Sequence, residues 1–170
     1  MTSKPAKYYS SFTIDNIYFT VISSIRGIKE IIFNLEKNNS KLVNTIQLQP
    51  EDPNMCSAYP QLKEYFSGER KCFDLPIDIE GTEFQKKVWD ELIKIPFGTT
   101  ISYKELAVRL GDEKVIRAAA SANGANPLPI VIPCHRVIGS NGSLIGYAGG
   151  LKIKEKLLTL EGNRNPGLFD

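Results

Sequence analysis

The stretch from Thr82 to Gly124 carries a tight succession of helix punctuation, and it constrains the fold more than any other part of the chain. Thr82-Glu83-Phe84-Gln85 has the form of a capping box, in which a hydroxyl and a side-chain amide satisfy each other's otherwise unpaired backbone N–H groups. It predicts a helix whose apolar face is Phe84, Val88, Trp89, Leu92 and Ile93, stopped by Pro96-Phe97-Gly98. Ser102-Tyr103-Lys104-Glu105 repeats the pattern before a short helix that carries Leu106, Ala107 and Leu110 and ends at Gly111. Asp112 is placed to cap a third helix reaching about Asn123-Gly124. Two short helices parted only by Gly111-Asp112 have the spacing of a helix-turn-helix. The third helix holds one arginine, Arg117, among small side chains that include Ala118 and Ala120. Small residues let a helix approach another surface closely, and a packed helix–helix contact explains them equally well.

The first half has a different texture. Residues 17–23 and 28–34 are rich in β-branched and aromatic residues, and Arg26-Gly27 between them predicts a hairpin turn. Another strand is expected within 38–48, a short helix over Pro60–Ser67 with Leu62, Tyr65 and Phe66 on one face, and a linker from Pro76 to Gly81. No catalytic cluster, repeat or low-complexity tract stands out there.

Charge and cysteine usage narrow the function classes. The net charge of +2 does not announce a nucleic-acid partner, but residues 82–170 hold 12 basic and 9 acidic side chains against 9 and 10 in residues 1–81. No stretch approaches the length of a membrane span and no signal-peptide core opens the chain, so a cytoplasmic or nuclear location, away from membranes, is expected. Cysteines at 56, 72 and 134 lack paired metal spacing, and with a single histidine no metal site is expected. Cys56 and Cys72 are either separate small residues or bridged to each other.

The chemistry-bearing segment is Pro127-Leu-Pro-Ile-Val-Ile-Pro-Cys-His-Arg-Val-Ile-Gly139, an apolar run leading into Cys134-His135-Arg136. Cysteine is the best side-chain nucleophile near neutral pH when part of it is thiolate, and His135 and Arg136 supply a neighbourhood expected to lower its pKa. On an extended segment adjacent side chains point in opposite directions, so His135 is expected to act through a water or a bent backbone. A buried structural cysteine beside a structural histidine is the competing interpretation of Cys-His alone.

Further motifs decide between them. Pro133–Val137 resembles the Pro-Cys-His-Arg-Val signature of the O6-alkylguanine-DNA alkyltransferase family. Phe84-Gln85…Val88-Trp89, Ile101-Ser102-Tyr103, Arg117-Ala118, Asn126-Pro127, Gly146-Tyr147-Ala148-Gly149-Gly150 and Lys154-Glu155…Leu157-Leu158…Glu161-Gly162 follow the family's order. The similarity covers residues 82–162. It implies an α/β ribonuclease-H-like domain over residues 1–78 and a mainly α, winged helix-turn-helix catalytic domain over 79–170.

The same resemblance implies that Cys134 accepts the alkyl group of O6-alkylguanine in duplex DNA, irreversibly and once per molecule, with O4-alkylthymine left open as a second lesion. His135 would be its general base through a water, oriented by Glu161, and Asn126 would fix the turn holding the cysteine. Because a base inside a duplex is out of reach, the damaged nucleotide must be rotated outward. Arg117 would fill the gap, with Ala118 and Ala120 on the same DNA-facing helix, and Tyr103 would promote the rotation. Tyr103, Ser140, Tyr147, Ala148 and Lys154 would line or stabilise the leaving guanine. Where some members of the family carry serine, this chain has Ala148, leaving only a backbone donor there. No cofactor is implied, since the lesion is itself the alkyl donor, and a monomer in solution is expected. Two other readings, a winged-helix binder of alkylated DNA that transfers nothing and a Cys-His hydrolase, predict no alkyl gain on Cys134.

Overall fold

The computed structural model describes residues 6–163 and divides the chain into two compact units, Met1–Glu80 and Gly81–Asp170.

In the first unit, β1 (Lys7–Ile14), β2 (Ile17–Ser24) and β3 (Gly27–Phe33) form an antiparallel meander, and β4 (Thr45–Gln47) pairs parallel to β1, giving the order β3-β2-β1-β4. β1 was not expected from the sequence. It is joined to β2 by Asp15-Asn16, whose φ values of 50° and 64° give the doubly left-handed turn that matches strand twist. The β2–β3 turn falls at Ile25-Arg26, one residue before the expected pair, because Ser24 pairs with Gly27. Of the strand expected within 38–48 only Thr45–Gln47 is extended, and Ser40–Leu42 is a 3-10 turn capped by Asn39.

The helix α1 (Ala58–Phe66) covers the sheet, with Tyr59 against Phe12 at 4.8 Å and Phe66 against Phe19 at 5.9 Å between ring centroids. Phe19, Val21, Ile28, Leu62 and Tyr65 are completely buried in this core. The expected linker is partly a sheet edge: Ile28 N–H donates to Pro76 O and Asp78 N–H to Ile28 O, each at 2.9 Å. A Cβ on Gly27 would stand 2.5 Å from Pro76 O, so only glycine admits this strand.

The second unit is built from α2 (Glu83–Ile93), α3 (Tyr103–Arg109), α4 (Ile116–Gly124) and α5 (Leu151–Leu160), with a two-stranded parallel sheet of β5 (Ile101–Ser102) and β6 (Val137–Ile138). The capping box of α2 is complete: Gln85 N–H donates to Thr82 Oγ1 at 3.1 Å and Thr82 N–H to Gln85 Oε1 at 3.0 Å. At α3, Ser102 Oγ accepts from Glu105 N–H at 3.0 Å, while the Glu105 carboxylate turns to Arg109 at 2.7 Å. Asp112 caps a 3-10 turn over Glu113–Val115, and α4 proper starts one residue later than that turn. Trp89 Nε1–H donates to Ala122 O at 2.9 Å, which fastens α4 to α2. Among the described residues no helix is long and apolar enough to cross a membrane.

Candidate active site

The segment before the cysteine is folded tightly. Ile132 N–H donates to Leu128 O at 2.8 Å, and this closes a turn in which Ile130, buried and β-branched, takes φ 75°. Such a residue disfavours the left-handed region by about 1–3 kcal/mol, so the surroundings must impose it. Asn126 does part of that work: its Nδ2 donates to Ile132 O at 2.7 Å and its Oδ1 accepts from Leu128 N–H at 2.9 Å.

Cys134-His135-Arg136 is a 3-10 turn, so the backbone here is bent rather than extended. A 3-10 turn rotates successive side chains by about a third of a circle, and the three residues accordingly serve different places. Cys134 lines a cavity of about 580 Å³. His135 and Arg136 turn into the interior, where His135 Nε2 lies 2.8 Å from Glu161 Oε1. Arg136 grips the same carboxylate through Nε to Oε2 and Nη2 to Oε1, both at 2.9 Å, and spends Nη1 on Ile95 O at 2.6 Å. Gly98 N–H adds a longer bond to Glu161 Oε2 at 3.4 Å, and the Phe97 ring covers the guanidinium at 5.8 Å.

The electrostatics follow from this arrangement. Burial works against a charge on Glu161, but the hydrogen bonds from His135 and Arg136 prevail and hold it down to about 2. Glu161 is therefore a carboxylate at any working pH and accepts the His135 Nε2 proton, which leaves the lone pair on Nδ1. That atom is buried with no hydrogen-bond partner among the described residues. Burial holds the imidazole pKa below its usual value, against the opposing pull of Glu161. Cys134 departs from the sequence expectation: desolvation pushes its thiol up to about 11, outweighing the hydrogen bond from Asn126 and the charge of Lys154. His135 and Arg136 face Glu161 and do not make a resting thiolate.

The other anticipated residues are distributed around the cavity. Tyr103, Arg117, Ala120, Ser140, Tyr147 and Ala148 line it, and Arg117 is exposed near the start of α4. Ala118 is exposed on the same helix without lining it. Lys154 is fully buried: its Nζ donates to Ile145 O at 3.0 Å and Gly146 O at 3.4 Å and lies 5.8 Å from the Tyr103 ring centre. It thus braces the loop at the cavity wall. Tyr103 Oη donates to the same Ile145 carbonyl at 3.1 Å.

Sequence reasoning missed Asn123, read only as a helix stop, which is buried, lines the cavity and donates from Nδ2 to Cys134 O at 3.5 Å. It also missed that Arg136 and Glu161 form one unit, for which a separation of 25 positions gives no local signal. All three cysteines are free, so Cys56 and Cys72 are not bridged. Among the described residues no cluster of His, Cys, Asp and Glu could hold a metal.

Comparison with known proteins agrees with this architecture. The 6-O-methylguanine DNA methyltransferase DNA-binding domain matches residues 83–163, and the ribonuclease-like domain of the same methyltransferases matches residues 8–79. The chain is 56% identical over 103 residues to the methylated-DNA–protein-cysteine methyltransferase of Methanosarcina acetivorans, a match covering 61% of this chain and 66% of that protein. With the Methanosarcina mazei methyltransferase of the same name the identity is 46% over 138 residues, covering 81% of this chain and 86% of that protein. A crystal structure of Mycobacterium tuberculosis OGT in complex with DNA has a TM-score of 0.81 at 36% identity, covering 96% of this chain and 99% of that one. The chain therefore belongs to the 6-O-methylguanine DNA methyltransferase family, with the ribonuclease-like domain in its first half and the DNA-binding domain in its second.

Proposed function

We infer that the protein repairs DNA by moving the alkyl group of an O6-alkylguanine onto Cys134 Sγ, once per molecule. The observation that carries this reading is a cysteine at the wall of a cavity of about 580 Å³, roomy enough to admit a base, backed by a buried His135–Glu161–Arg136 unit. The domain division is 1–78 for the ribonuclease-H-like part and 79–170 for the catalytic and DNA-binding part. The protein works as a monomer on duplex DNA and needs no metal or cofactor, because the damaged base supplies the alkyl group.

The resting thiol keeps its proton. As Sγ attacks the alkyl carbon, that proton passes to His135 Nδ1, directly or through a water, and Glu161 stabilises the imidazolium that forms. The carbon–O6 bond breaks with its electron pair on the purine, which finally takes up the proton as guanine. The thioether left on Cys134 is not reversed by thiols. Tyr103 serves the leaving purine by releasing Ile145 O and donating to the ring, aided by Ser140 and the backbone at Tyr147-Ala148. Asn126 holds the turn that aims the sulfur, and Lys154 acts indirectly through the loop it braces.

DNA meets α4 as the second helix of a winged helix-turn-helix, with β5, β6 and the loop after them as the wing. The small side chains Ala118 and Ala120 allow close approach, and Arg117 enters the stack where the base has left. Contacts to phosphates dominate, so binding tolerates any sequence context. The deciding experiment is intact-mass measurement and peptide mapping after mixing with duplex carrying O6-methylguanine. A gain of one methyl group on the Cys134 peptide supports transfer, and its absence rejects the reading in favour of a binding-only protein.

A further inference from the structure

The sequence holds two Asn-Gly pairs, Asn123-Gly124 and Asn141-Gly142, and folding treats them oppositely. Such a pair can rearrange by itself. Glycine has no side chain to shield its backbone nitrogen, which can close a five-membered ring on the amide carbon of the asparagine before it. Asn123 is kept from doing so: it is buried in α4, its Nδ2 donates to Cys134 O at 3.5 Å, and ring closure would have to unwind the end of the helix. Asn141 has none of these restraints. It is exposed in the loop after β6, and a Cβ placed on Gly142, whose φ is 81°, would find nothing within 4 Å.

The turn is also arranged along the path of the reaction. Ser143 N–H donates to Asn141 Oδ1 at 3.0 Å. That oxygen takes up negative charge when its carbon is attacked, and the donor is already aimed at it. Gly142 N–H donates to Gly139 O at 2.9 Å, so one backbone hydrogen bond in the loop has to open before the nitrogen attacks.

We propose that Asn141 is a site of spontaneous deamidation, which puts a carboxylate on the loop beside the cavity in protein that has not yet acted. Gly142 N bonds to Asn141 Cγ, the Cγ–Nδ2 bond breaks, and Nδ2 leaves as ammonia with the proton that Gly142 N gave up. Water then opens the imide at either of its carbonyls, which yields aspartate or isoaspartate at position 141. The sum is one water consumed and one ammonia released, with no oxidant or reductant. Both products carry a negative charge next to Ser140, which lines the cavity. On the DNA-repair reading above, on which this consequence rests, the loop faces phosphates, and aged molecules bind duplex more weakly.

The test incubates the folded protein in neutral buffer at about 37 °C and maps its peptides over time. Trypsin cuts after Arg117, Arg136 and Lys152, so the two pairs fall on separate peptides, 118–136 and 137–152. Peptide 137–152 is expected to gain about 1 Da and to split into aspartate and isoaspartate forms, while 118–136 stays unchanged. Its rate should lie within about tenfold of that of the free peptide 139–144, the factor set by the one backbone hydrogen bond that opens. Asn141→Gln, whose longer side chain closes its ring far more slowly, should show no gain. Asn141→Asp, which carries the charge from the start, should bind undamaged duplex about two- to fivefold more weakly than wild type at low salt, a difference that fades as salt is raised. No gain on 137–152, or the same gain on both peptides, overturns the proposed site, and wild-type affinity of Asn141→Asp at low salt overturns its consequence. A wild-type protein that binds no duplex at all would instead reject the DNA-repair reading and leave the mass result standing.

Discussion

Glu161→Gln keeps the size of the side chain and removes its charge, and two separable losses follow. The carboxylate meets His135 Nε2, Arg136 Nε and Nη2, and Gly98 N, which are donors in every case. A glutamine amide must point its NH2 at one of them. Arg136, with a side chain 7% exposed, is then left without its counter-charge. Breaking a buried ion pair from one side costs about 3–5 kcal/mol, set against a total stability of roughly 5–15 kcal/mol. The variant should therefore remain folded at 25 °C with a melting temperature lower by on the order of 10 °C. The second loss is kinetic. Support of the imidazolium by a charged hydrogen bond is worth about 1.5–3 kcal/mol, so alkyl transfer should slow by roughly 10- to 150-fold. Single-turnover rates by intact mass, thermal melting and anisotropy titration with undamaged duplex separate the effects. A wild-type transfer rate in a variant that binds duplex normally refutes the role of the carboxylate behind His135.

The wild-type protein should lose on the order of 3 kcal/mol on acidification, because the folded value of Glu161, about 2, lies below its ordinary value near 4.5; the stability is present above the ordinary value and lost as pH falls toward the folded one, and a denaturant titration at each pH should show this loss absent from Glu161→Gln. The rate of transfer should fall at pH below the ordinary imidazole range, where His135 gains a proton, and stay nearly flat from there to about pH 9, because the thiol titrates only near 11. A midpoint at the free-thiol value of about 8.5 would mean that a preformed thiolate reacts. Arg117→Ala should slow repair of duplex far more than transfer from a free alkylated base, and equal slowing on both would remove Arg117 from base extrusion. With limiting iodoacetamide, peptide mapping should find Cys72, which is exposed, labelled well before the buried Cys134.

What the sequence disclosed was what short-range chemistry decides. Both capping hydroxyls, Thr82 and Ser102, do what their spacing announces, because a cap and its helix are three residues apart. β1 escaped notice because its inward set, Ser10, Phe12 and Ile14, begins with a serine. Its stability comes from β2 on one side and β4 on the other, and Asp15-Asn16 was the turn signal that could have revealed it. Cys134 and His135 stand out as a pair, yet their directions depend on a 3-10 turn whose shape is set by Asn126 and by the strained Ile130. Nothing in the sequence around Arg136 says that it will share a carboxylate with His135, and nothing around Asn123 says that its amide will reach the Cys134 carbonyl. Those facts are created by folding, when distant segments exclude water together.

The closed, protonated sulfur has a bearing on how such a molecule survives between encounters. A reagent that works one time has to be inert in storage, and a neutral thiol with 5% of its residue surface open offers little to peroxides, stray electrophiles or soft metal ions. Ionisation is deferred until a partner able to accept the sulfur fills the space in front of it. The supply of unmodified molecules, rather than their speed, then sets how many lesions a cell can erase.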